Sequence, residues 1–174
     1  MIIYHNLQTV DQNLLHQLFE YHDGELYWKI KPAIRIRKGD IVGNVREDTG
    51  YRVVSLFDKK YAVHRLIFLY HHGYIPKMLD HIDGNKSNNR IENLRECDSY
   101  QNNQNAKRRK DNTSGIKGVY LLKTGKYAKN NKWMAFFNSN KKRIYLGVFE
   151  KKEDAENIIR EYREKHHGEF TNHG

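Results

Sequence analysis

Between Met78 and Lys110 the chain is dominated by Asn, Asp, Arg and Lys, with only thin apolar punctuation. A stretch of that character contributes little to a hydrophobic interior, so the apolar material must be gathered on either side of it. Hydrophobic residues make up 38% of the 174 residues and charged ones 30%. That is poor for one large core but sufficient for several thin layers, helped by an aromatic share of 12%. The chain therefore reads as small modules, with length enough for one ordinary domain or two to three small ones.

The flanks carry the periodic signals. Leu14, Leu15, Leu18 and Phe19 have helical spacing and stop at Asp23-Gly24. Leu26-Tyr27-Trp28 follows, then a basic stretch from Lys31 to Lys38, then two Gly-bounded runs, Ile41 to Val45 and Tyr51 to Phe57, that read as short strands. Asp58-Lys59-Lys60 is expected to turn a hairpin into Tyr61-Ala62-Val63, and His64 to Tyr70 to form a short buried helix ending before Gly73 and Pro76. Asp98 or Ser99, with Gln101 three positions on, is a capping-box arrangement for a helix running through Asn102 and Ala106 into Lys107-Arg108-Arg109-Lys110. Beyond Ile116 come three strand-like runs, Lys117 to Leu122, Lys132 to Asn138 and Arg143 to Val148. A helix from about Lys151 to His166 then lays Ala155, Ile158, Ile159 and Tyr162 along one stripe and closes at Gly168.

No apolar stretch approaches the roughly 18 to 20 residues of a membrane span, and Met1 to Val10 lacks a basic region followed by an apolar run. The expectation is a soluble, unexported protein with no membrane partner. Cys97 is the single cysteine, which excludes an internal disulfide and a cysteine-rich zinc site made by this chain alone. A formal net charge of +10 points to a polyanionic partner, since Lys and Arg near phosphates release condensed counterions.

The chemistry is concentrated in Asp80-His81-Ile82-Asp83-Gly84-Asn85-Lys86-Ser87-Asn88-Asn89-Arg90-Ile91-Glu92-Asn93-Leu94-Arg95 and in Gln101-Asn102. Phosphodiester hydrolysis needs a base to activate water, a cation to neutralise developing charge, and a group that fixes the base. His81 titrates near neutral pH, and Asp80 is a hard oxygen ligand suited to magnesium or manganese. Neighbours in a strand face opposite ways, so a bend is required there. Asn93 and Asn102 lie 12 and 21 residues beyond His81. A strand-loop-strand-helix finger brings such positions together, where one amide can hold the imidazole and another can complete a metal site. Asp83, Asn85 and Ser87 imitate the start of a calcium loop, but Asn88 and Leu94 replace its glycine and glutamate. These residues read as Asx-type turns.

These motifs, with Val63-His64-Arg65-Leu66, Asn88-Asn89 and Ile91-Glu92-Asn93-Leu94-Arg95, resemble the HNH endonucleases with a ββα-metal finger, of the phage and intron-encoded homing type. The resemblance implies a general base at His81, an orienting residue at Asn93, and one divalent metal, magnesium or manganese, on Asp80 and Asn102. His64, heading an apolar run, reads as structural. Two readings stand for Arg90, Arg95 and the run Lys107, Arg108, Arg109 and Lys110, phosphate clamping or solvation of a helix end. For the run, which follows the catalytic helix, phosphate contact is the stronger.

In the last sixty or so residues, strand parity places Trp133, Ala135, Phe137, Ile144 and Leu146 toward the helix. Tyr120, Leu122, Met134, Phe136, Asn138, Arg143 and Tyr145 fall on the other face. Ser114-Gly115-Ile116-Lys117-Gly118-Val119, Lys132-Trp133-Met134-Ala135, Tyr145-Leu146-Gly147-Val148-Phe149, Glu153-Asp154-Ala155 and Gly168-Glu169-Phe170 resemble the plant ethylene-response-factor type of DNA-binding domain. That resemblance implies a sheet laid in the major groove, but this face has fewer arginines than the family's and no particular base contact carries over; Tyr120, Asn138, Arg143 and Tyr145 are expected to contact DNA as polar and aromatic members of the face that parity presents. The face's apolar members could instead meet the nuclease module. Lys31, Arg35, Arg37 and Lys38 sit in a leader like those that precede such fingers, and either track the DNA backbone or form a solvated loop.

The expected fold is α+β: a small N-terminal β-rich module over 1–60, a ββα-metal finger over 61–111, and over 112–174 a three-stranded antiparallel sheet packed on one helix. The expected function is hydrolysis of double-stranded DNA in the cytoplasm of a phage's host, by a monomer that nicks or a DNA-bound dimer. A DNA-binding regulator with a vestigial finger is the alternative, and RNA binding a third reading.

Overall fold

The computed structural model describes residues 10–108, 111–123, 131–139 and 142–173. The chain divides into two compact units, Met1–Cys97 and Asp98–Gly174. Among the described residues the architecture is α+β, four α-helices with small antiparallel sheets.

In the first unit, the Asp11 side chain accepts from the Leu14 N–H and opens α1 (Gln12–Leu18), which buries Leu14, Leu15 and Leu18. The helix ends one residue before the apolar pattern does. Phe19 is extended and begins β1 (Phe19–His22), antiparallel to β2 (Glu25–Trp28). Asp23 and Gly24 both take positive φ, 50° and 90°, in the two-residue turn whose twist matches the strands it joins. The second sheet runs β3 (Asn44–Val45), β4 (Arg52–Leu56), β5 (Lys59–Ala62). Its β4–β5 reversal falls on Phe57-Asp58, at φ 50° and 62°, with Leu56 opposite Lys59. Lys59 and Lys60 are thus strand residues and not the turn expected of them.

α2 (Val63–His72) follows at once and stops at Gly73, whose φ of 78° lets its N–H reach Leu69 O. Its Val63, Leu66 and Ile67 are fully buried with Leu15, Phe19, Leu26 and Val42 in one core. Each such side chain contributes about 1.5–3 kcal/mol by leaving water. Leu94 joins that core from β7 (Leu94–Glu96), which pairs antiparallel with β6 (Leu79–His81), so the two-stranded hairpin rests on the N-terminal elements.

The second unit opens with α3 (Ser99–Asn105) and the expected capping box, Asp98 accepting from Gln101 N at 2.8 Å while Gln101 Oε1 accepts from Asp98 N at 2.8 Å. The helix stops short of the basic run. Ala106 is already off helix, and Lys117 Nζ donates to the carbonyls of Gln104 and Ala106 at 2.9 and 2.6 Å, satisfying oxygens left by the last turn. Lys107 and Arg108 are exposed beyond the helix, and Arg109 and Lys110 lie outside the described residues.

β8 (Val119–Leu121), β9 (Trp133–Ser139) and β10 (Lys142–Phe149) form an antiparallel sheet in the order β10-β9-β8. It packs on α4 (Lys152–His167), whose Ala155 and Ile159 are fully buried against Val119 and Ala135. A bulge between Tyr145 and Gly147 shifts the register. Leu146 reaches the core as expected, and Ile144, opposite the buried Phe137 in the ladder and so on the face parity gave it, is 38% exposed.

Candidate active site

β6 ends on His81 and the chain turns immediately, Gly84 N donating to His81 O at 2.9 Å. That bend is what two adjacent functional side chains require. Asp80 and His81 are both buried, at 8% and 4% exposure. Asp80 faces Arg95 across the hairpin, and its Oδ2 accepts from Arg95 Nε and Nη2 at 3.3 and 3.1 Å.

The loop between the strands is built by its own amides. Asp83 Oδ1 accepts from Asn85 N at 2.7 Å and Asn85 Oδ1 from Ser87 N at 3.1 Å, the Asx turns expected of this run. Asn88 Nδ2 donates to Asp83 Oδ2 at 2.7 Å. Asn93, buried in a 3-10 turn over Ile91–Asn93, closes the loop from the other end. Its Oδ1 accepts from Asp83 N at 3.1 Å, its Nδ2 donates to Asp83 Oδ1 and Asn88 O at 3.0 and 2.7 Å, and its carbonyl accepts from Ile82 N at 2.9 Å. Asn93 thereby fixes the backbone directly after His81. Burial acts to raise the Asp83 carboxyl, but the donors Asn88, Asn85 and Asn93, with His81 nearby, outweigh it and hold it below the ordinary range.

His81 Nε2 is 3.0 Å from the Oδ1 of Asn89, which is 3% exposed. A neutral imidazole that donates from Nε2 carries its lone pair on Nδ1. The His81 ring also packs on His64 at 5.1 Å, which packs on Tyr51 at 5.0 Å. Burial, then His81 and Arg65, push the His64 imidazole down to about 3, so it stays uncharged near neutral pH. Neither contact was readable in the sequence: Asn89 is one amide among several, and His64 heads an apolar helix.

Arg90 pairs with Asp23 at 2.7 Å, and the hairpin tip sits so close to the loop that a Cβ on Gly24 would lie 2.8 Å from Arg90 N. With Arg95 on Asp80, both arginines of this region have acidic partners. Lys31, Arg35, Arg37 and Lys38 are exposed.

Asn102 is half-buried on α3, in the unit beginning at Asp98. A hard divalent cation takes carboxylate and amide oxygens, which are the donors Asp80 and Asn102 carry. Among the described residues no three or more His, Cys, Asp or Glu gather to hold an ion.

In the second unit the sheet face opposite α4 carries Tyr120, Met134, Phe136, Asn138, Arg143 and Tyr145 by register. Tyr120 and Tyr145 are 44% and 57% exposed, and the Arg143 guanidinium lies 3.8 Å from the Phe136 ring centre and 5.3 Å from that of Tyr120. No helix among the described residues is long and apolar enough to cross a membrane.

Residues 61–104 match the family model of the HNH endonucleases. Over 49 residues the chain is 49% identical to "Protein 3.8" of Escherichia phage T7, a match covering 27% of this chain and 40% of that protein. The chain thus spans less than half the length of this curated relative, whose printed name states no activity. No solved structure matches significantly. The matched segment begins at β5 and extends into α3, taking in Asp80, His81, Asn89, Asn93 and Asn102, so this part of the chain is similar to HNH endonucleases.

Proposed function

We propose that the protein is a metal-dependent HNH endonuclease that hydrolyses phosphodiester bonds in double-stranded DNA. The observation that carries the reading is His81, buried at the end of β6 with Nε2 fixed on Asn89, inside the segment that matches the HNH family model. His81 takes a proton from water at the imidazole nitrogen opposite the Asn89 contact. Asn89 and the neutral His64 ring hold the imidazole in place, and Asn93 holds the backbone that follows it. Asp80 and Asn102 would hold a divalent metal, magnesium or manganese, which when bound supplies charge stabilisation to the phosphate and the departing 3′ oxygen. Such hydrolysis leaves 5′-phosphate and 3′-hydroxyl ends. One finger cuts one strand, so a monomer nicks and a DNA-bound dimer breaks both strands.

The second unit supplies DNA affinity. Tyr120, Asn138, Arg143 and Tyr145 present stacking and hydrogen-bonding groups in the manner of an ethylene-response-factor-type sheet, and the run Lys107 to Lys110, which follows α3 in the sequence, adds positive charge. Similarity to a phage protein supports a place of action in the cytoplasm of a phage's host.

One observation favours the second reading, a DNA-binding regulator with a vestigial finger. Arg95 engages the Asp80 carboxylate, and a guanidinium there competes with a metal. Incubating supercoiled plasmid, including one bearing the native target, with the full chain in magnesium, manganese or EDTA separates the two. Metal-dependent nicking with 3′-hydroxyl ends supports the nuclease; DNA binding with no cleavage in any metal supports the regulator.

A further inference from the structure

The unit that begins at Asp98 contains a cavity of about 500 Å³, with Tyr100, Lys107, Arg108, Lys117, Tyr120 and Arg163 on its wall. Arg163 interrupts the apolar stripe of α4 and is 3% exposed. Its Nη2 donates to the Lys117 carbonyl, while its Nη1 is buried without a hydrogen-bond partner among the described residues. Lys117 Nζ spends its protons on the carbonyls of Gln104, Ala106 and Asn172. Neither cation has an ion-pair partner among the described residues. Burial, and then the neighbouring Arg163, push the Lys117 ammonium down to about 8. Burial and then Arg160 push Arg163 down to about 10.

A half-buried ammonium beside a buried guanidinium raises the cost of both charges, and an unmet guanidinium N–H leaves its desolvation uncompensated. Asp111 is the acid on the described wall, against Lys107, Arg108, Lys117 and Arg163. What such a cavity lacks is an anion with several acceptor oxygens, and a phosphate matches the guanidinium fork. Tyr100, Tyr120 and Phe136 add ring surfaces for what the phosphate carries, and the volume lies within the range of small-molecule sites.

We infer that this cavity binds a phosphate group of a nucleic-acid strand, with Arg163 as the buried ligand and Lys107 and Arg108 at the rim. That the phosphate belongs to DNA rests on the proposed function; the affinity of the pocket for phosphate does not.

The test is an amide NMR titration of the full-length, metal-free protein with inorganic phosphate, deoxyadenosine monophosphate and a short DNA duplex. Saturable shifts at Gly118 and Asn112 are expected with each, weakened at least tenfold in Arg163→Gln. Should that variant fail to fold, the exposed double variant Lys107→Ala, Arg108→Ala is expected to weaken binding several-fold. Shifts absent from Gly118 and Asn112, or equal affinity in wild type and the folded variants, overturn the inference. Phosphate or mononucleotide binding with no response to duplex assigns the pocket to a free ligand and overturns the nucleic-acid source. Loss of the shifts with plasmid cleavage intact refutes the pocket alone, whereas intact shifts without cleavage refute the nuclease reading alone.

Discussion

His81 Nε2 and Asn89 Oδ1 lie 3.0 Å apart with both residues buried, so the proton on that nitrogen has a fixed acceptor and the imidazole a fixed orientation. Removing the amide takes away this buried hydrogen bond, at a cost of about 1–3 kcal/mol. Asn89→Ala is expected to lower kcat by about 10- to 100-fold with little change in KM. Asn89→Asp keeps the acceptor and adds a negative charge, so it should recover rate while moving the acid limb of the pH–rate profile upward. Wild-type rates and an unmoved profile in both variants would show that Asn89 does not position the base.

His64 links stability to pH. Free in the unfolded chain it protonates near 6.5, but in the folded protein only near 3, chiefly because it is buried. Between those values the unfolded state binds more protons, so stability rises with pH. The contribution is complete above the unfolded value and is lost as pH falls through about 3, at up to about 1.4 kcal/mol per pH unit. Urea melts at pH 4.5 and 7 should differ less in His64→Leu than in wild type, and parallel pH dependences would contradict the burial.

Gly118 adopts φ +81°, and a Cβ there would lie 2.4 Å from Ile159 Cδ1 and 2.5 Å from Phe136 O. Gly118→Ala therefore strains the backbone and pushes α4 from the sheet. A loss on the order of 2–4 kcal/mol is expected, read as a lower urea midpoint for the second unit. An unchanged midpoint would mean that α4 and β9 approach less closely than described.

Arg143 lies over Phe136 beside the exposed Tyr120 and Tyr145, on the sheet face proposed to meet DNA. Arg143→Ala should weaken duplex binding, and if the guanidinium neutralises one phosphate the salt slope should fall by about 0.9. Unaltered affinity at both low and moderate salt would move the DNA contact elsewhere.

Elements specified by neighbouring residues were legible in the sequence. α2 ends at Gly73, Asp98 and Gln101 form the capping box, Asp83 and Asn85 make Asx turns, and parity sorts β9 correctly. Features set by distant contacts were not. Phe19 leaves its helix to pair with Trp28, Lys117 caps carbonyls at the end of α3 from the far side of a loop, and a bulge between Tyr145 and Gly147 shifts the register of β10. At the candidate site, Asp80, His81, Asn93 and Asn102 stand out in the sequence by their residue types and by the family resemblance. The contacts of Asn89 and His64 with His81 emerge only when loop, helix and strand are assembled. Arg163 shows the same limit, since a charge at a stripe position reads as surface until its burial is seen.

His81 is the group proposed to activate water. The direct measurement is the initial rate of supercoiled plasmid nicking by the wild type and by His81→Ala, purified in parallel and assayed in magnesium, manganese and EDTA. The expected result is metal-dependent nicking by the wild type, reduced by at least about 100-fold in the variant while DNA binding is retained. Undiminished cleavage by His81→Ala would show that His81 is not the base.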